Sequence, residues 1–465
     1  MFRKEETWLH FVGIGGIGMS GIAEVFLNQG YLVSGSDLLE SESTKRLSQL
    51  GAKIALGHNK KNIGKASVVV VSSAVKATNP EVLEAKSRHI PVIPRAEMLG
   101  ELMRGKVGVA VAGSHGKTTT TSMLATVLTV AGLDPTLVIG GKVDSLGGNA
   151  KLGQGQFVVA EADESDGSFV HLPATFGIVT NIDNDHMDHF GSLGAIEDAF
   201  VGLVGKLPFY GLAVVCGEDA GVKRCMDRWT KPFQTYGFTQ EWDIFAQDIR
   251  HEGLSSFFSV YLKNGGTPNL LGEIRLNVPG KHNVLNALAC VLVALRLNIS
   301  FQMISKGLYE FKGVKRRFEI RWQDQAKKQV IVDDYGHHPT EIVATLESAK
   351  AFWPGRIISV FQPHRYSRTL NCREGFLTTF FQSDVVLITD IYSAGEDPIP
   401  GVSAEALVSE IKRTARPNQQ IIYSGDLDAT CVLLGEMFSE NDLLLCLGAG
   451  SITRLPDQVV ARLSK

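Results

Sequence analysis

The sequence predicts an α/β chain of three domains, on three observations. Its 465 residues exceed what one hydrophobic core holds at about 150 residues per domain. Short apolar runs alternate with helical periodicity along its length, the pattern of parallel sheets covered on both faces. Many of those runs end in a glycine turn or a polar cluster, and such sheets bind ligands at the carboxyl ends of their strands. The elements group into three stretches, 1–104, 105–312 and 313–465.

In the first stretch "LHFVGIGG" is a buried strand running into a turn, "MSGIAEVFLNQG" a helix with Ile22, Val25 and Phe26 on one face, and "YLVSGSD" a second strand. "ASVVVVSSAV" and "IPVIPRAEML" continue the alternation. Gly13, Gly15 and Gly18 match GxGxxG between strand and helix. Glycines there permit the tight turn and let backbone amides approach a diphosphate at the helix N-terminus. Asp37 closes the next strand, where a carboxylate can bond a ribose hydroxyl. This context favours a Rossmann-like domain with a dinucleotide or nucleotide-sugar ligand over a turn that is merely tight.

In the second stretch "VGVAVAG", "QFVVAEAD", "FGIVTNID" and "LAVVCGED" are apolar runs ending in polar or acidic residues. The first leads into "GSHGKTTT". The full GxxxxGK[ST] pattern is not met, because Val111 and Ala112 fill the region of its first glycine. Gly113, Gly116, Lys117 and Thr118 remain, and they are the parts that act: amides cradle phosphates, Lys117 reaches the terminal ones, and the Thr118 hydroxyl can hold Mg²⁺. A merely threonine-rich helix start leaves the coincidence of strand, glycine turn, lysine and hydroxyl unexplained. "EADESDGSF" adds Glu161, Asp163, Glu164 and Asp166; "TNIDNDHMDHFGS" adds Asp183, Asp185, His186, Asp188 and His189. Mg²⁺ takes oxygen ligands and keeps several waters, so a few carboxylates beside a phosphate turn suffice. Each cluster alone reads equally well as a solvated loop. Both at strand ends after a phosphate turn point to a metal–phosphate site in a P-loop-type ATP-binding domain. His186 has the alternative of capping a helix or pairing with a neighbouring Asp. The stretch from Tyr236 to Pro279 alternates and turns, and is expected as a small antiparallel insert; "GKHNVLNALACVLVALRLNI" follows as a capped, strongly apolar helix.

The third stretch repeats the first pattern. "KQVIVDDYGHHPTEI", "RIISVFQPHRYSRT", "DVVLITDIYSAGED", "QQIIYSGD" and "DLLLCLGAGS" place polar residues directly after buried strands, as in a second Rossmann-like domain.

Composition narrows the partners. The 44% hydrophobic and 20% charged content is that of an ordinary globular protein. A net charge of -3 without a long basic run argues against nucleic-acid backbone binding. Six cysteines without CxxC spacing read as buried free thiols in a reducing compartment. The N-terminus has Glu5 and Glu6 where a secretory signal carries only positive charge, and no run approaches the ~20 apolar residues of a membrane span. A cytoplasmic, soluble protein is expected.

Taken together and in order, "HFVGIGGIGMSGIAE…SGSD", "GSHGKTTT", "EADESD", "NIDNDHMDH", "GKHNVLNALA", "GVKRRFE", "DDYGHHPTE" and "QPHRYSRT" resemble the Mur ligase family of peptidoglycan synthesis, from about His10 to Gly450. Within it the resemblance is to the branch that joins L-alanine to UDP-N-acetylmuramate with ATP, through an acyl phosphate, releasing ADP and phosphate. It implies that the first turn, with Gly13, Gly15, Gly16, Gly18 and Asp37, holds the UDP-sugar. The second turn would hold ATP, with Gly113, Ser114, His115, Gly116, Lys117, Thr118 and Thr119 on the phosphates, Asn283 and Asn286 at the adenine, and Arg317 at the hinge. Lys117 would neutralise charge on the transferred phosphoryl group. Thr118 and Glu161 would hold one Mg²⁺, with His186 near a second, so that Lys117, Glu161 and His186 carry the chemistry. Tyr335, His337, Arg365 and Arg368 match the amino-acid side, where the planar fork of Arg suits the alanine carboxylate. His337, with His338, has the alternative of a strand-end turn before Pro339, and the arginines that of surface solubility.

One departure matters. Several sister ligases carry a carbamylated lysine after the metal-site histidine; here no Lys or Arg occurs between Glu161 and Lys206, so the modification is not expected. Three rivals stand beside this reading. An NAD-dependent oxidoreductase would explain GxGxxG and Asp37 but not "GSHGKTTT". A sister ligase attaching a whole peptide would carry a different first turn. A non-catalytic nucleotide sensor has no need of Lys117, Glu161 and His186 together.

Overall fold

The computed structural model describes residues 4–72, 74–143, 148–165, 167–185 and 187–463. The chain divides into two compact units, one of Met1–Gln247, Ser259–Ile274 and Leu285–Phe311, the other of Asp248–Phe258, Arg275–Val284 and Lys312–Lys465.

The first unit opens with a five-stranded sheet of β1 (Trp8–Val12), β2 (Leu32–Asp37), β3 (Lys53–Leu56), β4 (Val68–Val71) and β5 (Val92–Pro94), in the order β3-β2-β1-β4-β5. All four pairings are parallel. Its helices are α1 (Ile17–Asn28), α2 (Glu42–Gln49), α3 (Pro80–Ser87) and α4 (Arg95–Met103). Ile22, Val25 and Phe26 are all buried, as the helical spacing predicts.

A ten-stranded sheet follows. It comprises β6 (Val107–Ala112), β7 (Thr136–Val143), β8 (Gly148–Lys151), β9 (Phe157–Glu161), β10 (Phe176–Val179), β11 (Leu212–Cys216), β12 (Phe233–Gly237), β13 (Ile244–Glu252), β14 (Ser255–Asn264) and β15 (Thr267–Leu276). The order is β15-β14-β13-β12-β11-β10-β6-β9-β7-β8. Its helices are α5 (Lys117–Val130), α6 (Met187–Phe190), α7 (Leu193–Gly205), α8 (Ala220–Met226), α9 (Lys281–Arg296) and α10 (Phe301–Glu310). Strands β13 to β15 and helix α9 carry residues of both units. Helix α5 is almost wholly buried, and α10 approaches it closely: a Cβ on Gly307 would stand 2.6 Å from Val127 Cα. One continuous apolar core joins the two sheets of this unit, running from Leu9 and Phe11 through Val158 and Phe200.

The antiparallel stretch expected over Tyr236 to Pro279 is present as β13, β14 and β15, sheet neighbours joined by two-residue turns that only antiparallel strands allow, but it is not set apart from the rest. The segment continues the central sheet, with β12 parallel to β11 and β13 parallel to β12 through Tyr236↔Ile244 and Gly237↔Phe245. Alternation reports only which side chains share a face; it carries no information about which neighbour a strand finds or in which direction.

The second unit holds a six-stranded sheet of β16 (Glu319–Asp324), β17 (Gln329–Asp334), β18 (Arg356–Phe361), β19 (Val385–Thr389), β20 (Gln420–Gly425) and β21 (Asp442–Leu447), ordered β16-β17-β21-β18-β19-β20. Only β16 is antiparallel to its neighbour. The helices are α11 (Pro339–Phe352), α12 (Tyr366–Asn371), α13 (Arg373–Thr379), α14 (Ala404–Thr414), α15 (Leu427–Met437) and α16 (Leu455–Leu463). Apolar clusters cover both faces, Ile342, Leu346 and Phe376 in one and Leu434, Phe438 and Val459 in the other.

All six cysteines are free. Four are buried as expected; Cys372, where α12 meets α13, and Cys431, on α15, are only partly so. Among the described residues, no helix is long and apolar enough to cross a membrane.

Candidate active site

Both glycine turns follow a strand whose neighbours lie on either side of it, β1 between β2 and β4, and β6 between β10 and β9. That is the crevice in which open parallel sheets bind ligands. Both also open helices of the same kind. The N-cap of α1 is Gly16 and that of α5 is Gly116; neither helix has a side-chain cap or an acidic residue in its first turn. Helices α2, α7, α8, α10, α14 and α15, by contrast, are each capped by a Ser or Asp side chain. Uncapped N-terminal amides with the positive end of the helix dipole form an anion site.

At the first turn the amides of Gly13 and Ile14 donate to Ser36 O, and the amide of Gly15 donates to Asp37 Oδ2 at 2.8 Å. A Cβ on Gly15 would stand 2.9 Å from that same oxygen. In this structure Asp37 therefore ties down the turn. Gly13 has φ 78, the left-handed region that glycine tolerates.

At the second turn Gly113 (φ 137) and Gly116 (φ 82) are both in the left-handed half of backbone space. A Cβ on Gly113 would lie 1.9 Å from Thr180 Oγ1, and one on Gly116 would lie 2.9 Å from Asn286 Oδ1. The strand-end residues of β10 hold the loop between them. His115 N donates to Asn181 Oδ1 at 2.8 Å, Thr180 Oγ1 donates to His115 O at 2.6 Å, and the His115 ring meets Asp183 Oδ2 at 2.9 Å. Lys117 Nζ curls over its own turn, donating to Gly113 O at 2.6 Å and Ser114 O at 3.1 Å, and to Glu164 Oε1 at 2.7 Å. Burial alone would lower the Lys117 ammonium; the carboxylates of Glu164, Asp163 and Glu161 outweigh it and hold the pKa above its usual value. Burial pushes the Glu164 carboxyl up, against the pull of Lys117. Thr118 Oγ1 donates to Glu161 Oε1 at 3.0 Å. A hydroxyl and a carboxylate oxygen thus lie side by side at the phosphate turn, the hard oxygen donors that Mg²⁺ prefers.

The second unit gathers its polar residues at the carboxyl ends of β17 and β18. Tyr335 lies beneath two guanidiniums, those of Arg316 and Arg317, 5.0 and 5.1 Å from its ring. Arg317 Nη1 donates to Glu341 Oε1 at 3.1 Å, and Glu341 Oε2 accepts from the His337 amide at 3.1 Å. The His337 ring stands 5.2 Å from Tyr335 and 6.0 Å from His364. Arg368 Nη1 donates to His364 Nδ1 at 3.5 Å. Burial, then the guanidiniums of Arg368 and Arg365, lower the His364 pKa to about 4, which leaves the ring neutral. Asn283 Nδ2 donates to Pro279 O at 2.6 Å.

Three family models match in succession: "Mur ligase family, catalytic domain" over residues 9–107, "Mur ligase middle domain" over 111–294, and "Mur ligase, glutamate ligase domain" over 316–450. The chain belongs to the Mur ligase family. It is 53% identical over 463 residues to the UDP-N-acetylmuramate–L-alanine ligase of Geotalea daltonii, covering 100% of this chain and 99% of the relative. The ligase of the same name from Geobacter sulfurreducens is 52% identical, with 100% of this chain and 99% of the relative covered. Among solved structures, the UDP-N-acetylmuramate-alanine ligase of Thermotoga maritima superposes with a TM-score of 0.81 at 30% identity, over 98% of this chain and 99% of that one. A murein peptide ligase of Psychrobacter arcticus shares the fold, with a TM-score of 0.70 at 23% identity over 99% of each chain.

In this Mur ligase the first unit brings together most of the residues predicted for ATP and Mg²⁺: the turn from Gly113 to Thr119, Glu161 and Asn286. Asn283, Arg317, Tyr335, His337, Arg365 and Arg368 belong to the second unit. His186 and Asp166 lie outside the described residues. Two further residues meet these groups. Glu164 is one of four acids within six residues, and only the folded turn shows that it, rather than Asp163, meets Lys117. Arg95 follows β5 directly and donates to Asp163 Oδ2 at 2.9 Å. The rule that singled out other polar residues after strands applies to it equally.

Proposed function

We propose that the chain joins L-alanine to the lactyl carboxylate of UDP-N-acetylmuramate, with ATP converted to ADP and phosphate, as a step of cytoplasmic peptidoglycan synthesis. The observation that carries this reading is the pairing of two uncapped, glycine-led helix N-termini in a chain alike, end to end, to ligases of that name. One turn suits the diphosphate of the sugar nucleotide and the other the triphosphate of ATP.

The chemistry follows from the groups present. A carboxylate is a poor electrophile, because an amine cannot expel oxide from it. Transfer of the terminal phosphoryl group to a carboxylate oxygen forms an acyl phosphate and releases ADP. The amine of alanine then attacks the acyl carbon, phosphate leaves, and the amide forms. ATP entering the second turn offers Lys117 phosphate oxygens in place of the carbonyls of Gly113 and Ser114, so the ammonium is already positioned where charge develops. Thr118 and Glu161 would hold Mg²⁺, and His186 is assigned to a second ion by family resemblance. When bound, the metal supplies charge neutralisation at the phosphates. Arg365 and Arg368 would grip the alanine carboxylate.

The test is ADP release from ATP, Mg²⁺ and UDP-N-acetylmuramate with each amino acid in turn. L-alanine is expected to give sustained turnover. Turnover dependent on a peptide instead, or hydride transfer with a nicotinamide nucleotide, would replace the reading.

A further inference from the structure

Arg95 is the first residue of α4, at the carboxyl end of the edge strand β5. Its side chain is only 14% exposed and lies across the opening turn of α1, the 12-residue helix that starts at the first glycine turn. A Cβ on Gly18 would stand 3.0 Å from Arg95 Nη1 and 3.3 Å from its Cδ. The third glycine of GxGxxG is usually explained by close packing of helix and strand. Here it leaves room for a guanidinium. That guanidinium donates through Nη2 to Asp163 Oδ2 at 2.9 Å, and Asp163 Oδ1 accepts from the Ser165 amide at 3.1 Å. Asp163 thereby pins the bend that follows β9. That same bend sets Glu164 against Lys117, and it starts directly after Glu161, the last residue of β9, which meets Thr118.

We propose that Arg95 is a positioning residue that couples the two phosphate turns: it meets the sugar-nucleotide diphosphate at the start of α1 while holding the Asp163 bend of the ATP site. This rests on the reading that the first turn binds the UDP-sugar. An arginine presents five N–H donors, and a single one of them bonds Asp163 among the described residues. Diphosphate oxygens at the N-terminus of α1 meet the remaining donors without displacing the carboxylate. Once both acceptors are engaged the guanidinium has one orientation, and the bend from Glu161 to Ser165 loses its freedom with it. The ordering cost of the ATP site is then already met when nucleotide arrives. Each substrate tightens the other by the same factor, as linkage requires.

The test measures calorimetric binding of UDP-N-acetylmuramate, with and without a non-hydrolysable ATP analogue and Mg²⁺, to the whole chain and to Arg95→Ala, Arg95→Lys and Asp163→Asn. The wild-type chain is expected to show coupling of about fivefold or more. Asp163→Asn should bring the coupling to within about twofold of none while leaving sugar-nucleotide affinity in the absence of nucleotide unchanged. Arg95→Ala should lose the coupling and also weaken sugar-nucleotide binding about tenfold or more, the scale of a lost charge-assisted bond. Arg95→Lys keeps the charge without the fork, so it should restore affinity and leave coupling low. In turnover, KM for UDP-N-acetylmuramate and for ATP should rise in Arg95→Ala while KM for L-alanine stays. Wild-type coupling retained in Arg95→Ala, or absent from the wild-type chain, overturns the proposal. If Arg95→Ala does not fold, the same comparison in Asp163→Asn decides it. A wild-type chain that fails to bind UDP-N-acetylmuramate at all overturns the underlying reading as well, and is distinguished from the other outcomes by that fact.

Discussion

Lys117 is closely held in the turn: its side chain is 13% exposed and that of its partner Glu164 only 2%. Lys117→Ala is expected to lower ATP-dependent turnover by orders of magnitude, because the group proposed to meet charge on the transferring phosphoryl is lost. Sugar-nucleotide binding at the first turn should persist in a calorimetric titration. Near-normal turnover in this variant would remove the second turn from the mechanism. Arg365 makes a different kind of statement. Its backbone sits at φ 68 and ψ 141, a region open to glycine but costly for other residues, and its amide donates to Tyr392 O at 2.8 Å. The arginine side chain is exposed, so packing does not explain the choice. Arg365→Gly should therefore stabilise the fold by about 1 kcal/mol, the relief of strain less the entropy that glycine loses on folding. The same change should weaken the use of L-alanine by about one to two decades through loss of a charged contact. A thermal melt and a KM for alanine check both halves, and a stability loss would contradict the strain argument.

At the scale of the element, the second turn is stiff because its neighbour leaves it no alternative. Gly113→Ala places a methyl 1.9 Å from Thr180 Oγ1 at φ 137, and Asn181 N at 3.1 Å blocks retreat. We expect loss of measurable nucleotide binding and destabilisation of about 2 kcal/mol or more in a urea melt, and no rescue by Thr180→Ala because the backbone strain stays. What made this element legible in the sequence was the abrupt change from a buried apolar strand to Gly-Ser-His-Gly-Lys-Thr. The same signal revealed the ends of β1, β17 and β18. Strands without it leave no such mark in the sequence. Lys53–Leu56 is four residues with both ends exposed, and Glu319–Asp324 is a partly exposed antiparallel edge, so neither shows an apolar run. Site geometry was legible as residue types and no further. Which of Glu161, Asp163 and Glu164 meets Lys117 depends on a bend, and the pairing of Arg95 with Gly18 and Asp163 joins segments far apart in the chain. An arginine at positive φ carries no signature in sequence at all.

For the molecule as a whole, pH and chemistry give the remaining tests. In the second unit burial first, and a nearby guanidinium next, lower His282 and His364 to about 4, against an ordinary value of 6.5. Between those values the unfolded chain binds protons that the folded chain refuses, so their share of stability is present above pH 6.5 and is lost as pH falls towards 4. The melting temperature should fall across that window, and His282→Gln with His364→Gln should flatten the fall; a wild-type melting temperature constant over the window would count against it. The reaction itself can be stopped half-way. If phosphoryl transfer to the lactyl carboxylate precedes attack by the amine, then enzyme, ATP, Mg²⁺ and UDP-N-acetylmuramate without L-alanine should accumulate an acyl phosphate. Hydroxylamine should capture it as the hydroxamate, and borohydride should reduce it to the alcohol, each at the lactyl carbon and each accompanied by ADP. Lys117→Ala should form neither product, since the group that steadies the transferring phosphoryl is gone, while a variant of Arg368 should form both, because its assigned task begins only when alanine arrives. Capture in both variants would place the arginine and the lysine on the same side of the reaction. AMP and pyrophosphate in place of ADP and phosphate would mean that the carboxylate attacks the phosphorus nearest the ribose, and the role given to Lys117 at the far end of the triphosphate would fall with that result.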